Sequence, residues 1–522
     1  MRLMVLLLPL LWMTPAVPDR VVLPALPHPP PQPNALPAVR EGVALEQLVE
    51  EGRKLWFEDA PAGAEPFGVP TVPHGLTGVP GWNATHDGVL SVLNFVRPTG
   101  LIPHGGGMPV GMVDGDTMAQ TCSACHTDAP NGTPIPGLAN RHYSQKAMFR
   151  LGRMTLLAHK TALGLHAGQE AQQQAVDAEL EKLTRYQALQ DVGCRDDLAP
   201  GVVTGVRIWH VTTGLLTNPS QLATPAGKAA FPCGAVKIPP LNTLRWRNLH
   251  FWDGSINTSW PGRWPVLDFM GLARVEEWQD KTSTRKAQAL DAFLAWGMRS
   301  PAWQEVFPGT PDHVLAQRGA QIFHAPGRCA SCHGSHDADG MLMAFEPGIT
   351  PLAVVGTNPE RAVAALDEVL KRMATVPGGF VPRAADPTVE RGYVNVPLCS
   401  PFLNYPYLHT GSVASLWELL LPARQRSARF YVGKTVDHRD VGYFTPSTFG
   451  RALAKGPAAS NFVHRGVPQR LRAGHEGEAF GTTLSNTDKR ALLEFLKTAR
   501  CPDGIPKNPA LSAPPDAGVT TR

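Results

Sequence analysis

Apolar residues recur at helical spacing over residues 45–57, at Leu45, Leu48, Val49 and Leu55, which predicts an amphipathic helix. Similar periodicity predicts a long helical stretch over about 144–189, broken near 164–168 where Gly164 and Gly168 fall. Further helices are expected over 284–297, 312–323 and 488–498, with a Pro-marked boundary at 301–311. Between them lie stretches without period. Residues 60–120 are rich in Gly and Pro, and so read as loop. Residues 18–44 carry Pro27, Pro29, Pro30 and Pro31 and read as an extended linker. The Pro/Ala/Asp-rich segment 506–522 reads as a disordered tail.

The first residues follow a different pattern. Arg2 precedes an apolar run from Leu3 to Met13, and Thr14, Pro15 and Ala16 follow. A basic start, a short apolar run and small residues are the marks of a secretory signal peptide, here 1–17. The run is well short of the ~20 residues that span a bilayer, and no later segment is apolar enough to do so. The expectation is an exported protein, periplasmic or secreted, with no membrane span in its mature form. Composition adds little against this. Of 522 residues 18% are charged, the net charge is +4, and no basic stripe suggests a nucleic-acid partner.

The cysteines carry the chemistry. Cys122, Cys125 and His126 form one Cys-x-x-Cys-His, and Cys329, Cys332 and His333 form a second. This is the attachment signature of c-type haem: two thiols bond one edge of the macrocycle, and the next residue turns its imidazole toward the iron. With 8 Cys and 18 His in 522 residues, one match is expected by chance only roughly 0.004 times, so two are not accidental. A zinc site or two disulfides would use the same thiols but leave the two adjacent histidines unexplained. The remaining cysteines, Cys194, Cys233, Cys399 and Cys501, fit no motif, and their pairing does not follow from the sequence. A weak repeat accompanies the motifs. Ile238-Pro239-Pro240-Leu241 leads to Phe251-Trp252-Asp253-Gly254-Ser255, and Val396-Pro397-Leu398 leads to Tyr407-Leu408-His409-Thr410-Gly411-Ser412.

The order of these elements over about 115–500 resembles the bacterial dihaem cytochrome c peroxidase superfamily. Its C-terminal motifs are most similar to the dihaem rubber-oxygenase-like branch, through Tyr407 to Ser412, Leu419-Leu420-Leu421-Pro422, Phe430-Tyr431-Val432-Gly433, Gly474-His475 and Phe480-Gly481-Thr482. The resemblance implies two covalently bound haems, a reactive one on His126 and a relay on His333. It implies that Trp252, next to Phe251, lies between them. Peroxidases of the family place a ligating Met downstream of the Tyr-x-His-x-Gly histidine, at a position that Ala423 occupies here. The resemblance therefore points to His475 as sixth ligand of the second haem, with His409 and then Tyr431 as alternatives. The segment Gly227 to Cys233, where peroxidases hold a distal His, has none. Trp260, Trp264, Leu267 and Phe269 are candidates to wall an open pocket, and Asp268 is a candidate acid or base. Calcium sits between the domains of peroxidase relatives. Here Lys237 stands near where a neutral carbonyl-type ligand is wanted, so calcium is not expected.

Together these readings predict a mostly α protein of two tandem cytochrome c-like haem domains, 45–305 and 306–505, with long Gly/Pro-rich loops. The expected function is an oxidoreductase, cytochrome c peroxidase-like or rubber-oxygenase-like. It would react with peroxide or dioxygen at the N-terminal haem and draw electrons from a small periplasmic electron-transfer protein or an organic reductant. The alternative is a non-catalytic dihaem electron carrier with both irons closed, for which His250, beside Phe251, is the residue to watch.

Overall fold

A computed structural model of the chain describes residues 33–58, most of 112–257, 285–363, 381–382, 391–453 and 463–504. The signal-peptide reading, most of the linker and the tail lie outside these residues. So do Trp260, Trp264, Leu267, Asp268 and Phe269.

The helices arise where the periodicity placed them. Leu45–Glu58 buries Leu48 and Trp56. His313–Phe323 opens on Asp312, whose side chain accepts from the Leu315 amide, and Asn486–Thr498 opens on Ser485, which accepts from the Asp488 amide. Such caps satisfy amides that the first turn leaves without intrahelical partners. Arg285–Ala292 continues into a wider π-turn over Phe293–Gly297.

Two helix pairs frame the molecule. Leu45–Glu58, which precedes the first Cys-x-x-Cys-His, crosses Arg285–Ala292. His313–Phe323, which precedes the second, crosses Asn486–Thr498. Each crossing is closest at a glycine. A Cβ on Gly52 would lie 2.0 Å from the Ala289 carbonyl oxygen, and one on Gly319 would lie 2.1 Å from that of Ala491. Because both obstacles are backbone, neither can yield by a rotamer change. Gly319→Ala should therefore cost about 1–3 kcal/mol of stability by forcing the helices apart. A thermal melt identical to the wild type would show that this crossing does not limit the approach.

The expectation of a mostly α, tandem cytochrome c-like fold is overturned. Among the described residues fifteen strands of two to four residues form seven small antiparallel sheets, and several helices are single turns of four residues. The sheets include Val202–Thr204 with Ala235–Lys237, Ile349–Pro351 with Gly392–Val394, and Arg429–Val432 with Val463–Gly466. The physical reason lies in the 50 Gly and 51 Pro. Proline ends a helix early, and glycine permits tight reversals. The loops that the sequence pattern left without period fold back on themselves as short ladders. These satisfy backbone groups that burial would otherwise leave unpaired.

The largest core cluster gathers Phe323, Phe402, Phe430, Tyr443 and Phe495 with Ile135 and Leu138. It thus takes residues from both sides of the division expected at 305. Two disulfides, Cys194–Cys233 and Cys399–Cys501, settle the pairing that the sequence left open. Among the described residues no helix is long and apolar enough to cross a membrane.

Candidate functional site

The first motif forms one helical turn, Ser123–His126, with the His126 amide bonded to the Cys122 carbonyl at 3.1 Å. Asn140 clamps the turn: its amide bonds the Cys125 carbonyl and its side chain donates to the Ala124 carbonyl, both at 2.8 Å. His126 Nδ1 lies 3.1 Å from the Pro239 carbonyl oxygen. As donor there, Nδ1 fixes the ring and leaves Nε2 with its lone pair. Burial pushes the imidazole down to about 4, against the opposing pull of the Pro239 carbonyl, so the ring stays neutral. Trp56 packs 6.4 Å from it, its indole N–H donating to Thr127 Oγ1.

The second motif repeats the design. Ala330–His333 is one turn, and the His333 amide bonds the Cys329 carbonyl at 2.9 Å. His333 Nδ1 lies 2.8 Å from the Val396 carbonyl oxygen, and burial again lowers its pKa. Here a second imidazole lies near the first. The rings of His333 and His475 are 6.5 Å apart at 48°. His333 and His475 are the side chains that would hold an iron there.

The loop that presents His475 is built for that placement. Gly474 has φ 82° and His475 φ 52°, both in the left-handed region. A Cβ at Gly474 would meet the Thr357 nitrogen at 2.3 Å. The His475 amide donates to the Val355 carbonyl, while Arg426 donates to the carbonyls of Arg472, Gly474 and His475. Left-handed backbone at a non-glycine residue costs about 1–3 kcal/mol and persists only where surrounding contacts impose it. Buried His475 Nδ1 has no hydrogen-bond partner among the described residues, and burial, with His333 and Arg426, pushes this imidazole down to about 3. A neutral, rigidly held imidazole with an unanswered buried nitrogen suits a sixth iron ligand. The four motif cysteines are half-buried and stand outside both disulfides. On these observations both sites fit covalently held haem: Cys122, Cys125 and His126 at one, and Cys329, Cys332, His333 and His475 at the other.

The two motifs are joined through Trp252. His126 meets the Pro239 carbonyl. Two residues back along the chain, the Lys237 carbonyl accepts the Trp252 indole N–H at 2.9 Å. The Trp252 carbonyl accepts the Val394 amide at 2.9 Å, and two residues on, the Val396 carbonyl meets His333. Covalent segments of at most a few residues and four hydrogen bonds therefore link one motif histidine to the other. Phe251 and Trp252 are half-buried, Phe251 at φ 62° with the Arg361 guanidinium 5.7 Å from its ring. Asp253 and Arg361 form a buried ion pair at 3.2 Å that ties this turn to the C-terminal half.

Lys237 is 7% exposed and has no carboxylate partner among the described residues. Its ammonium donates instead to the carbonyls of Asn404 and Pro406. It lies 5.8 Å from the Trp252 ring and 6.0 Å from that of Tyr407. Burial, with Arg141 nearby, pushes it down to about 7.

The two alternative ligands lie elsewhere. Tyr431 stacks on Phe449 at 4.1 Å. His409 stacks on Tyr393 at 4.0 Å and 21°, and its carbonyl accepts the Lys237 amide. Burial and then Arg361 push His409 down to about 3, from 6.5. A histidine neutral in the fold and protonated when unfolded stabilises fully above pH 6.5. That contribution is lost as pH falls toward 3, at about 1.4 kcal/mol per unit. The melting temperature of His409→Gln should consequently fall less steeply than wild type between pH 6.5 and 4. Parallel profiles would assign the acid sensitivity to other groups, such as buried His336. His250 is buried on the strand Leu249–His250, which pairs with Ile256–Asn257.

Sequence reasoning missed Trp56, the Asp253–Arg361 pair and the Arg426 clamp. Lys237 had drawn attention only through the family resemblance, as standing near where a calcium ligand is wanted. None of these has a local pattern, because each acts through partners distant in the chain.

No family model matches the chain. It is 25% identical over 260 residues to Uncharacterized protein y4iJ of Sinorhizobium fredii (strain NBRC 101917 / NGR234), a match covering 39% of this chain and 41% of that relative. The chain thus spans under half the length of that curated relative, and the similarity carries no activity with it.

Proposed function

We propose that this chain is an exported dihaem c-type oxidoreductase, with haem on Cys122, Cys125 and His126 and on Cys329, Cys332, His333 and His475. The observation that carries this reading is the continuous path through Trp252 between the two motif histidines. A pair of structural zinc sites would have no use for such a connection. When bound, the haems supply one-electron chemistry and, at the N-terminal site, reaction with peroxide or dioxygen.

The protein's part is positional. Pro239 and Val396 fix the tautomer and plane of each proximal imidazole. His475 closes the second site, leaving it to pass electrons. Trp252 holds an aromatic ring on the path. Arg426 keeps His475 in place against its left-handed backbone. The electron source is a small periplasmic electron-transfer protein or an organic reductant. Two disulfides favour an oxidising compartment, in keeping with the periplasmic or secreted location that the N-terminal sequence suggests.

Optical and low-temperature EPR spectra of the purified protein, with and without carbon monoxide, test the reading. One high-spin iron that binds carbon monoxide beside one low-spin iron that does not is the expected result. Absence of covalent haem would end the proposal, and two closed low-spin irons would convert it to an electron carrier. Peroxide-driven oxidation of a reduced cytochrome, set against dioxygen consumption with an organic substrate, separates the two oxidants.

A further inference from the structure

Six arginines are buried among the described residues. Five of them have partners. Arg141 pairs with Asp128, and Arg361 with Asp253. Arg207 donates to Cys194 Sγ and the Phe231 carbonyl, Arg426 to the carbonyls around His475, and Arg465 to the Gly411 carbonyl. Arg247 differs. It is 3% exposed, its Nε is buried without a hydrogen bond, and no acceptor among the described residues meets its guanidinium. Burial alone pushes it down to about 10, with no neighbouring charge acting on it. Asn248, the next residue, is also buried and has both side-chain amide atoms without partners. A guanidinium taken from water is expected to have a counter-charge, and its fork of N–H donors matches a carboxylate.

The flanking residues place this cation between the two motifs. Leu244, three residues before it, packs in the cluster of Trp56 and Leu241, against which Cys122 of the first motif lies. Leu249, two residues after it, packs with Ile349 and Val394. Thr350, beside Ile349, has its Oγ1 3.8 Å from Cys332 Sγ of the second motif. Arg247 itself lies on the segment between Pro239, whose carbonyl meets His126, and Trp252. A haem carries two propionate carboxylates, and covalent attachment at either motif brings a pair of them into this part of the fold.

We propose that Arg247 binds a haem propionate at the junction of the two motifs, with the Asn248 Nδ2 as a further donor on the same stretch. This rests on the dihaem reading above. The same carboxylate could come from the haem on His126 or from the haem on His333. Either way the guanidinium fixes the cofactor edge beside the Trp252 path. Its positive charge also favours the reduced state of that iron.

The test uses the full-length holoprotein. Spectroelectrochemical titration resolves the two midpoint potentials, and the high-spin and low-spin spectra tell the sites apart. Arg247→Met should lower the reduction equilibrium constant of one haem about tenfold, which is about 59 mV for one electron. Arg247→Lys should recover most of it. The site whose potential moves identifies the haem that supplies the propionate. Contact is read separately from charge. Cells fed 5-aminolaevulinate carrying carbon-13 at its carboxyl carbon make haem labelled in its propionates. Redox-difference infrared spectra should then show a label-sensitive carboxylate band that moves in Arg247→Met. If Arg247→Met does not mature, Arg247→Gln, which keeps donors but loses the charge, should show the lowered potential and the moved band.

The proposal is overturned if neither potential moves, or if a potential moves while the labelled band stays, since a distant charge alone gives that result. Wild-type protein without covalent haem would defeat the dihaem reading itself. Covalent haem with unmoved potentials and band would defeat only the role of Arg247.

Discussion

Replacing His475 by glycine is expected to open the second site: its low-spin signal should be lost and carbon monoxide should bind to the reduced protein. Glycine is the informative choice because the position has φ 52°. Glycine adopts that backbone without the steric cost any larger side chain meets, so the loop held by Arg426 should keep its course. The variant then removes an imidazole and little else. Added imidazole should restore the low-spin spectrum by filling the space the side chain left. Electron equilibration should slow by at least about tenfold, since the relay site would lose its rigid coordination and admit water. If the low-spin signal persists in His475→Gly, another residue ligates that iron and the nearness of His333 and His475 is packing alone.

Trp252→Phe is the second large effect. The indole N–H is the donor to the Lys237 carbonyl, the step by which the path passes from the strand Ala235–Lys237 to Trp252, whose own carbonyl then makes the crossing to Val394. Phenylalanine keeps much of the ring but cannot donate. The path would then have to cross that gap through space. The Lys237 carbonyl would be left without the indole donor, at a cost of about 1–3 kcal/mol. Equilibration between the two sites should fall by roughly ten- to a hundredfold, with haem content and both resting spectra unchanged. Stopped-flow reduction of one site, followed at the other, measures it directly. An unaltered rate would show that electrons travel by another route and that Trp252 is a core aromatic.

The two variants differ in diagnostic range. The histidine change alters one spectrum and one ligand-binding property. The tryptophan change leaves spectra alone and alters only communication.

The features legible in the sequence were those that depend on near neighbours. The Cys-x-x-Cys-His turns close through hydrogen bonds between residues four apart, as from His126 to Cys122 and from His333 to Cys329. Helices over 45–58 and 486–498 follow from periodic apolar residues and, at Ser485, a side-chain cap. The motif histidines stand as candidate ligands on the Cys-x-x-Cys-His signature, whereas Trp252 and His475 were singled out by the family resemblance. The fold class did not follow, because two-residue strands carry no period to detect. Gly- and Pro-rich segments pair only once the chain has already brought them together. Likewise Pro239 and Val396 orient the motif histidines through backbone carbonyls, which have no side-chain signature. Disulfide partners, the Asp253–Arg361 pair, and Lys237 on its two carbonyls all join residues distant in sequence. In this protein, then, the sequence alone picked out the candidate atoms for binding a metal or forming thioethers. Only the tertiary structure decided which of them face one another, since that depends on packing and on which buried polar groups find partners.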